Sequence, residues 1–370
     1  YDVEISRPKN YIVGATGDLQ DSSEIKFLHH LADSNRTIDA YDKDLRFPLS
    51  DTEFKTLHYH AENVTDFAWF ADKRYNVLRG EVLLPNSGRK VETWLYFTNK
   101  QAKLWKDQTH VINDAIRYYS AWVGDYKYNA VTAVEGALKA GGGMEYPMIT
   151  VIGGVSSESE LETVIVHEVG HNWFQGMLGT NETYRAFMDE GFTQFLTAWS
   201  LNTIDGKYVL ENPSKSNFVE KYKTPTLVND MRMYYGYISS VLNYNDAQLN
   251  THSSAFGNGI RHGGGYGHVY YKAACMLANL QQVLGDDLFL AAMQNYVQKW
   301  RVAHPYPEDF KSSIISFTKV DLNWFFDQWL ETTNTIDYAV KSVQSIPNKK
   351  NHYSIRLVRK GKMQMPLDVY

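Results

Sequence analysis

Apolar and polar positions alternate in short runs over residues 1 to about 98, and a period of two predicts strands. Val3-Glu4-Ile5, Tyr11-Ile12-Val13, Leu57-His58-Tyr59-His60 and the longer Val91-Glu92-Thr93-Trp94-Leu95-Tyr96-Phe97 carry this pattern. Turn formers separate the runs at Arg7-Pro8-Lys9-Asn10 and Pro85-Asn86-Ser87-Gly88. From Lys100 the period lengthens. Leu104, Val111, Ala115, Tyr118 and Trp122 make one helical stripe beside Trp105, Ile112, Ile116 and Tyr119, and Gly124 is placed to end it. Gly141-Gly142-Gly143 leads into an apolar stretch, 144–152, that predicts another strand. Ser157/Glu160 and Ser159/Glu162 have capping-box spacing, so a helix is expected from there to about residue 177. A second helix is expected over 190–201. The chain reads as mostly helical from Tyr208, most clearly over 270–284, 287–300, 307–317 and 322–332. A loop rich in Asn, Ser, His and Gly interrupts this stretch at about 243–267. Strand patterns return at 338–343, 352–359 and 367–370.

Composition narrows what such a chain can be. At 370 residues it exceeds one ordinary domain. A hydrophobic share of 44% with 21% charged residues is that of a globular protein. The net charge of −5 and the scattered Lys and Arg residues argue against nucleic acid as a partner. One cysteine, Cys275, excludes an intrachain disulfide and a cysteine-based metal site. No apolar run reaches the length of a transmembrane helix. The chain opens at Tyr1 inside a strand pattern and lacks an initiator Met, so a piece of a longer or processed protein is expected. The expected location is exported, periplasmic or cell-surface, rather than cytoplasmic. Asn35-Arg36-Thr37, Asn63-Val64-Thr65 and Asn181-Glu182-Thr183 fit the glycosylation triplet.

The chemistry concentrates in His167-Glu168-Val169-Gly170-His171. On a helix, positions i and i+4 share a face one turn apart, so both imidazoles can reach one Zn²⁺ about 2 Å away. Glu168 sits beside the metal without binding it and is placed to act as general base toward water. The apolar residues around the motif (Leu161, Val164, Ile165, Val166, Val169, Trp173) predict a buried helix. Such a helix rarely holds two His and a Glu without partners for them. A hydrolytic zinc needs a third protein ligand and an open position. Glu190 in Met188-Asp189-Glu190-Gly191-Phe192, with eighteen residues between it and His171, is the candidate. Asp189 and Asn172 are expected as partners of the imidazoles. His252, His262 and His268 occupy the Gly-rich loop and could form a second metal site or a solvated loop.

H-E-x-x-H, eighteen residues and Glu resembles the signature of the gluzincin zinc aminopeptidases of the aminopeptidase N family. Two more segments resemble that family in the same order. Gly142-Gly143-Met144-Glu145-Tyr146 is similar to its Gly-x-Met-Glu-Asn strand, with Tyr146 in place of Asn, and Tyr270-Tyr271-Lys272 to its Tyr-Glu-Lys helix start. The resemblance implies an α+β, multidomain protein. A thermolysin-like catalytic domain with a mostly helical lower half would span 81–335. Residues 1–80 would close an N-terminal β domain, and 336–370 would open a C-terminal one. It implies one Zn²⁺ on His167, His171 and Glu190, with Glu168 as base and Tyr270 (or its neighbour Tyr271) donating to the oxyanion. Glu145, with Gly142, Gly143 and Met144 on an edge strand over 144–149, would bind a peptide substrate by its free N-terminus. An endopeptidase, an epoxide hydrolase of the same family and a non-catalytic zinc-containing binding module are the alternatives.

Overall fold

The computed structural model describes residues 1–38, 40–43, 45–139, 141–208, 226–256 and 267–367. The strands, in chain order, are β1 (Asp2–Pro8), β2 (Ile12–Ala15), β3 (Asp18–Leu19), β4 (Phe54–His60), β5 (Trp69–Asp72), β6 (Asn76–Leu83), β7 (Lys90–Phe97), β8 (Ala130–Glu135), β9 (Gly143–Met144), β10 (Ile149–Ile152), β11 (Tyr338–Ser345) and β12 (Tyr353–Arg359). The α-helices are α1 (Ser22–Asn35), α2 (Ala102–Trp105), α3 (Thr109–Val123), α4 (Glu158–Gly170), α5 (Glu182–Arg185), α6 (Glu190–Ile204), α7 (Tyr235–Leu242), α8 (Ala273–Leu284), α9 (Asp286–Trp300), α10 (Pro307–Thr318) and α11 (Asn323–Glu331). Two π-helical turns, Asp230–Tyr234 and His268–Lys272, run directly into α7 and α8.

The organising layer is a five-stranded sheet in the order β6-β7-β8-β10-β9. β7, β8 and β10 are parallel, and β6 and β9 are antiparallel edges. Both faces are covered, which is why β7 is buried without a break from Thr93 to Phe97. Val91, Leu95 and Phe97 face a core shared with α3 and α4. Trp94 and Tyr96 alternate to the other face, where Ile12 of β2 and Leu28 and Ala32 of α1 pack. Parallel β7 and β8 require a crossover, and α2 and α3 supply it. The helices after α6 extend the first core by packing Leu277, Phe289, Phe310 and Phe326 with Phe192 of α6. No helix among the described residues is long and apolar enough to cross a membrane. The fold is mixed helix and sheet, as the pattern predicts.

Three local expectations need correction. Helix α1 lies inside the stretch that reads as β. Only Leu28, Ala32 and Asn35 of it are buried, a stripe too narrow to stand out. The helix expected from Lys100 is broken into α2 and α3, because Trp105 tucks in to stack on Phe97, their rings 6.1 Å apart. The single strand expected over 144–152 is a tight hairpin. Met148 takes a positive φ of 66°, Ile149 donates back to the Tyr146 carbonyl (3.1 Å), and β9 folds antiparallel onto β10. The edge strand is therefore Gly143–Met144, while Ile149–Ile152 lies inside the sheet. The strand read at 367–370 falls, apart from Leu367, outside the described residues.

Candidate metal centre

Helix α4 starts as its cap predicts, with the Ser157 hydroxyl accepting the Glu160 amide at 3.1 Å. The Glu160 carboxylate turns to the amide and hydroxyl of Ser156 instead of closing the box. Ser159 lies within the helix, where its carbonyl takes the Thr163 hydroxyl. The helix ends at Gly170, not near 177. Gly176 donates to the His171 carbonyl (2.8 Å) and Leu178 to that of Trp173 (3.0 Å), so the chain folds back at once. Gly176 is required there: a Cβ would lie 2.8 Å from the Asn172 carbonyl oxygen. This fold-back brings the Phe174 carbonyl onto the His171 ring.

Three donor atoms converge between α4 and α6. His167 Nε2 and His171 Nε2 are 3.2 Å apart, and Glu190 Oε2 lies 3.2 Å from the first and 3.3 Å from the second. Donors about 2.0–2.1 Å from a tetrahedral centre are separated by roughly 3.3–3.4 Å, so this triangle has the size of a zinc site. The outer nitrogens settle the tautomers. Thr197 spends its hydroxyl proton on the Thr193 carbonyl (2.8 Å), so its oxygen accepts from His167 Nδ1 at 3.2 Å. His171 Nδ1 donates to the Phe174 carbonyl at 3.1 Å, with Thr193 Oγ1 at 3.3 Å. With both Nδ1 atoms protonated, both Nε2 lone pairs point at one spot.

These outer partners differ from the expected ones. Asn172 accepts the Met148 amide (3.0 Å) and faces Tyr126 instead of an imidazole. Asp189 is buried and forms a group with Glu145 and His171 whose ligating atoms lie within 4.8 Å of one another. Thr193 and Thr197 follow Glu190 by three and seven positions. Two threonines buried on the ligand's own helical face were the available signal.

Glu168 is 6% exposed, and its Oε2 has no hydrogen-bond partner. It presses on the backbone of Gly143, where a Cβ would lie 2.4 Å from its carboxyl carbon. Strand alternation explains this segment. Gly143 and Glu145 face the cleft, whereas the Met144 side chain points to the core under β2 and α1. Gly141 and Gly142 take positive φ of 74° and 66° and also line the cleft. The cleft holds about 700 Å³, and its walls include Thr163, Gln194, Tyr270 and Tyr271. Tyr270 donates to Glu190 Oε1 at 2.5 Å. Tyr271 lies flat on Gly236, whose added Cβ would meet its ring at 2.4 Å. His252 caps a short turn and packs on Tyr184, and buried His268 packs edge-on against Phe256. His262 lies outside the described residues.

Three carboxyl groups, Glu145, Glu168 and Glu190, crowd this pocket beside the two imidazoles. Burial pushes the Glu168 carboxyl well above the usual carboxylate range; His171 opposes this, while Glu145 and Glu190 reinforce it. Burial alone would lower His171, but Glu145 and Glu190 raise it well above an ordinary imidazole. Burial would raise Glu190, yet the neighbouring imidazoles of His167 and His171 hold it far below the usual range. Glu182, which sequence reasoning missed, is raised first by burial and then by Glu145. Carboxylates packed this way create a potential that favours a cation.

Residues 148–329 match the Peptidase family M1 domain. The matched segment contains all three donors and Glu168. Leukotriene A-4 hydrolase of Xenopus laevis is 27% identical over 183 residues, which is 48% of this chain and 27% of that protein. Aminopeptidase N of Lactococcus lactis subsp. lactis is 21% identical over 187 residues, 50% of this chain and 20% of that protein. The chain thus spans less than a third of the length of either relative. An M1 zinc metallopeptidase from Deinococcus radiodurans superposes with a TM-score of 0.58 at 13% identity, covering 89% of this chain and 63% of that one. Legionella pneumophila aminopeptidase A in complex with aspartic acid gives 0.60 at 14%, covering 92% and 36%. The fold is that of the M1 zinc metallopeptidases. Zinc is the metal that fold implies, and the His-His-Glu set fits it.

Proposed function

We propose that this chain carries the catalytic unit, about 81–335, of a zinc aminopeptidase that hydrolyses the first peptide bond of substrates with a free N-terminus. The observation that carries this reading is the triangle of His167, His171 and Glu190, whose lone pairs converge at zinc spacing. Zinc held by these residues supplies Lewis acidity toward a carbonyl oxygen and toward water. Glu168 takes the proton from the attacking water through its unpartnered oxygen and returns it to the leaving nitrogen. Glu145 holds the substrate α-ammonium, an ion pair whose gross Coulomb energy at ~4 Å is about 4 kcal/mol at an effective dielectric of 20. An internal peptide bond would leave that carboxylate unpaired, which selects free ends. The open side of β9 pairs with the extended substrate backbone.

A matched pair of aminoacyl amides, one with a free amine and one acetylated, separates the exopeptidase from an endopeptidase. The free amine is expected to be cleaved far faster, with the difference shrinking in Glu145→Gln. Equal rates on the two amides would remove Glu145 from its role and favour endopeptidase action.

A further inference from the structure

We propose that Tyr270 positions a metal ligand, fixing Glu190 through its second carboxylate oxygen. The inference rests on the reading of His167, His171 and Glu190 as ligands. The two oxygens of Glu190 have separate partners. Oε2 faces the two imidazole nitrogens, and Oε1 accepts the Tyr270 hydroxyl at 2.5 Å, the length of a charge-assisted bond. A phenol has one proton to give. In this arrangement Tyr270 gives it to the ligand.

The surrounding packing holds the tyrosine in that role. Its ring stacks on that of His167, with centroids 6.0 Å apart and planes at 28°. The π-helical turn that carries it abuts the first turn of α6 at Gly191. A Cβ on Gly191 would lie 2.2 Å from Ala273 Cβ and 2.6 Å from the Val269 carbonyl oxygen. The glycine thus permits the approach that puts the hydroxyl on Glu190. With Oε1 tied down, Oε2 alone faces the metal position, and the carboxylate is oriented before any cation arrives.

Loss of such an outer partner lowers metal affinity by about 10–100-fold. Zn²⁺ affinity is measured by competition with a chromogenic chelator for the unaltered chain, Tyr270→Phe, Tyr270→Leu and Tyr271→Phe, with circular dichroism checking each fold. Both Tyr270 variants should bind about 10–100-fold more weakly, and Tyr271→Phe should bind like the unaltered chain. A hydroxyl acting on substrate alone would lower turnover and leave affinity intact. Tyr270→Phe and Tyr270→Leu affinities equal to that of the unaltered chain would overturn the proposal while leaving the aminopeptidase reading standing. An unaltered chain that binds no zinc would overturn both.

Discussion

Replacing Glu168 with glutamine is expected to lower turnover by about 10²–10⁴-fold, the usual contribution of a positioned general base, while one zinc ion per chain is retained. Glutamine has nearly the same shape, so the contact with Gly143 and the course of α4 survive. It offers an amide where the mechanism needs a basic oxygen. Metal binding should persist because the three donors at zinc spacing do not include Glu168. Steady-state rates with a free-amine substrate, alongside metal content, read both effects. Undiminished turnover in the glutamine variant would rule out Glu168 as base, and a parallel loss of zinc would make it a ligand instead.

The second large effect lies beneath the site. Lys272 is fully buried, and its ammonium donates to Asp246 Oδ2 (2.8 Å), the Ala247 carbonyl (2.8 Å) and the Thr332 carbonyl (3.0 Å). All three N–H bonds are used, which is what makes the burial tolerable. The pair ties the turn that presents Tyr270 to the 245–250 segment and to the chain after α11. Burial draws the Lys272 pKa down and Asp246 pushes it back up. Lys272→Met would leave the Asp246 carboxylate buried without a counter-ion, at a cost of about 3–5 kcal/mol. Urea unfolding should show that loss, and adding Asp246→Leu should recover part of it. A single variant as stable as the unaltered chain would show that the pair is not the anchor of this wall.

The ligand helix was legible because its chemistry is written in a local period. Two histidines four apart must share a face, and an apolar setting tells which way that face points. Glu190 was legible through spacing and an expected helix start. What sequence could not show depends on backbone turns. The fold-back after Gly170 is held by the Gly176 amide on the His171 carbonyl, a bond between backbones at a site with no room for a Cβ and no apolar pattern to announce it. It delivers the Phe174 carbonyl to His171, so the partner expected to be Asn172 is a main-chain group. The hairpin at Met148 likewise cut one apolar run into two strands, and Glu145 reaches the cleft from its turn. Helix α1 was hidden because the outer face of the sheet accepts only three of its side chains.

The most direct measurement is the zinc content of the purified chain beside that of a His167→Ala/His171→Ala double variant, both checked for folding. One zinc per unaltered chain and none in the double variant is the result expected here. A folded chain without zinc, or zinc retained after both imidazoles are gone, would contradict it.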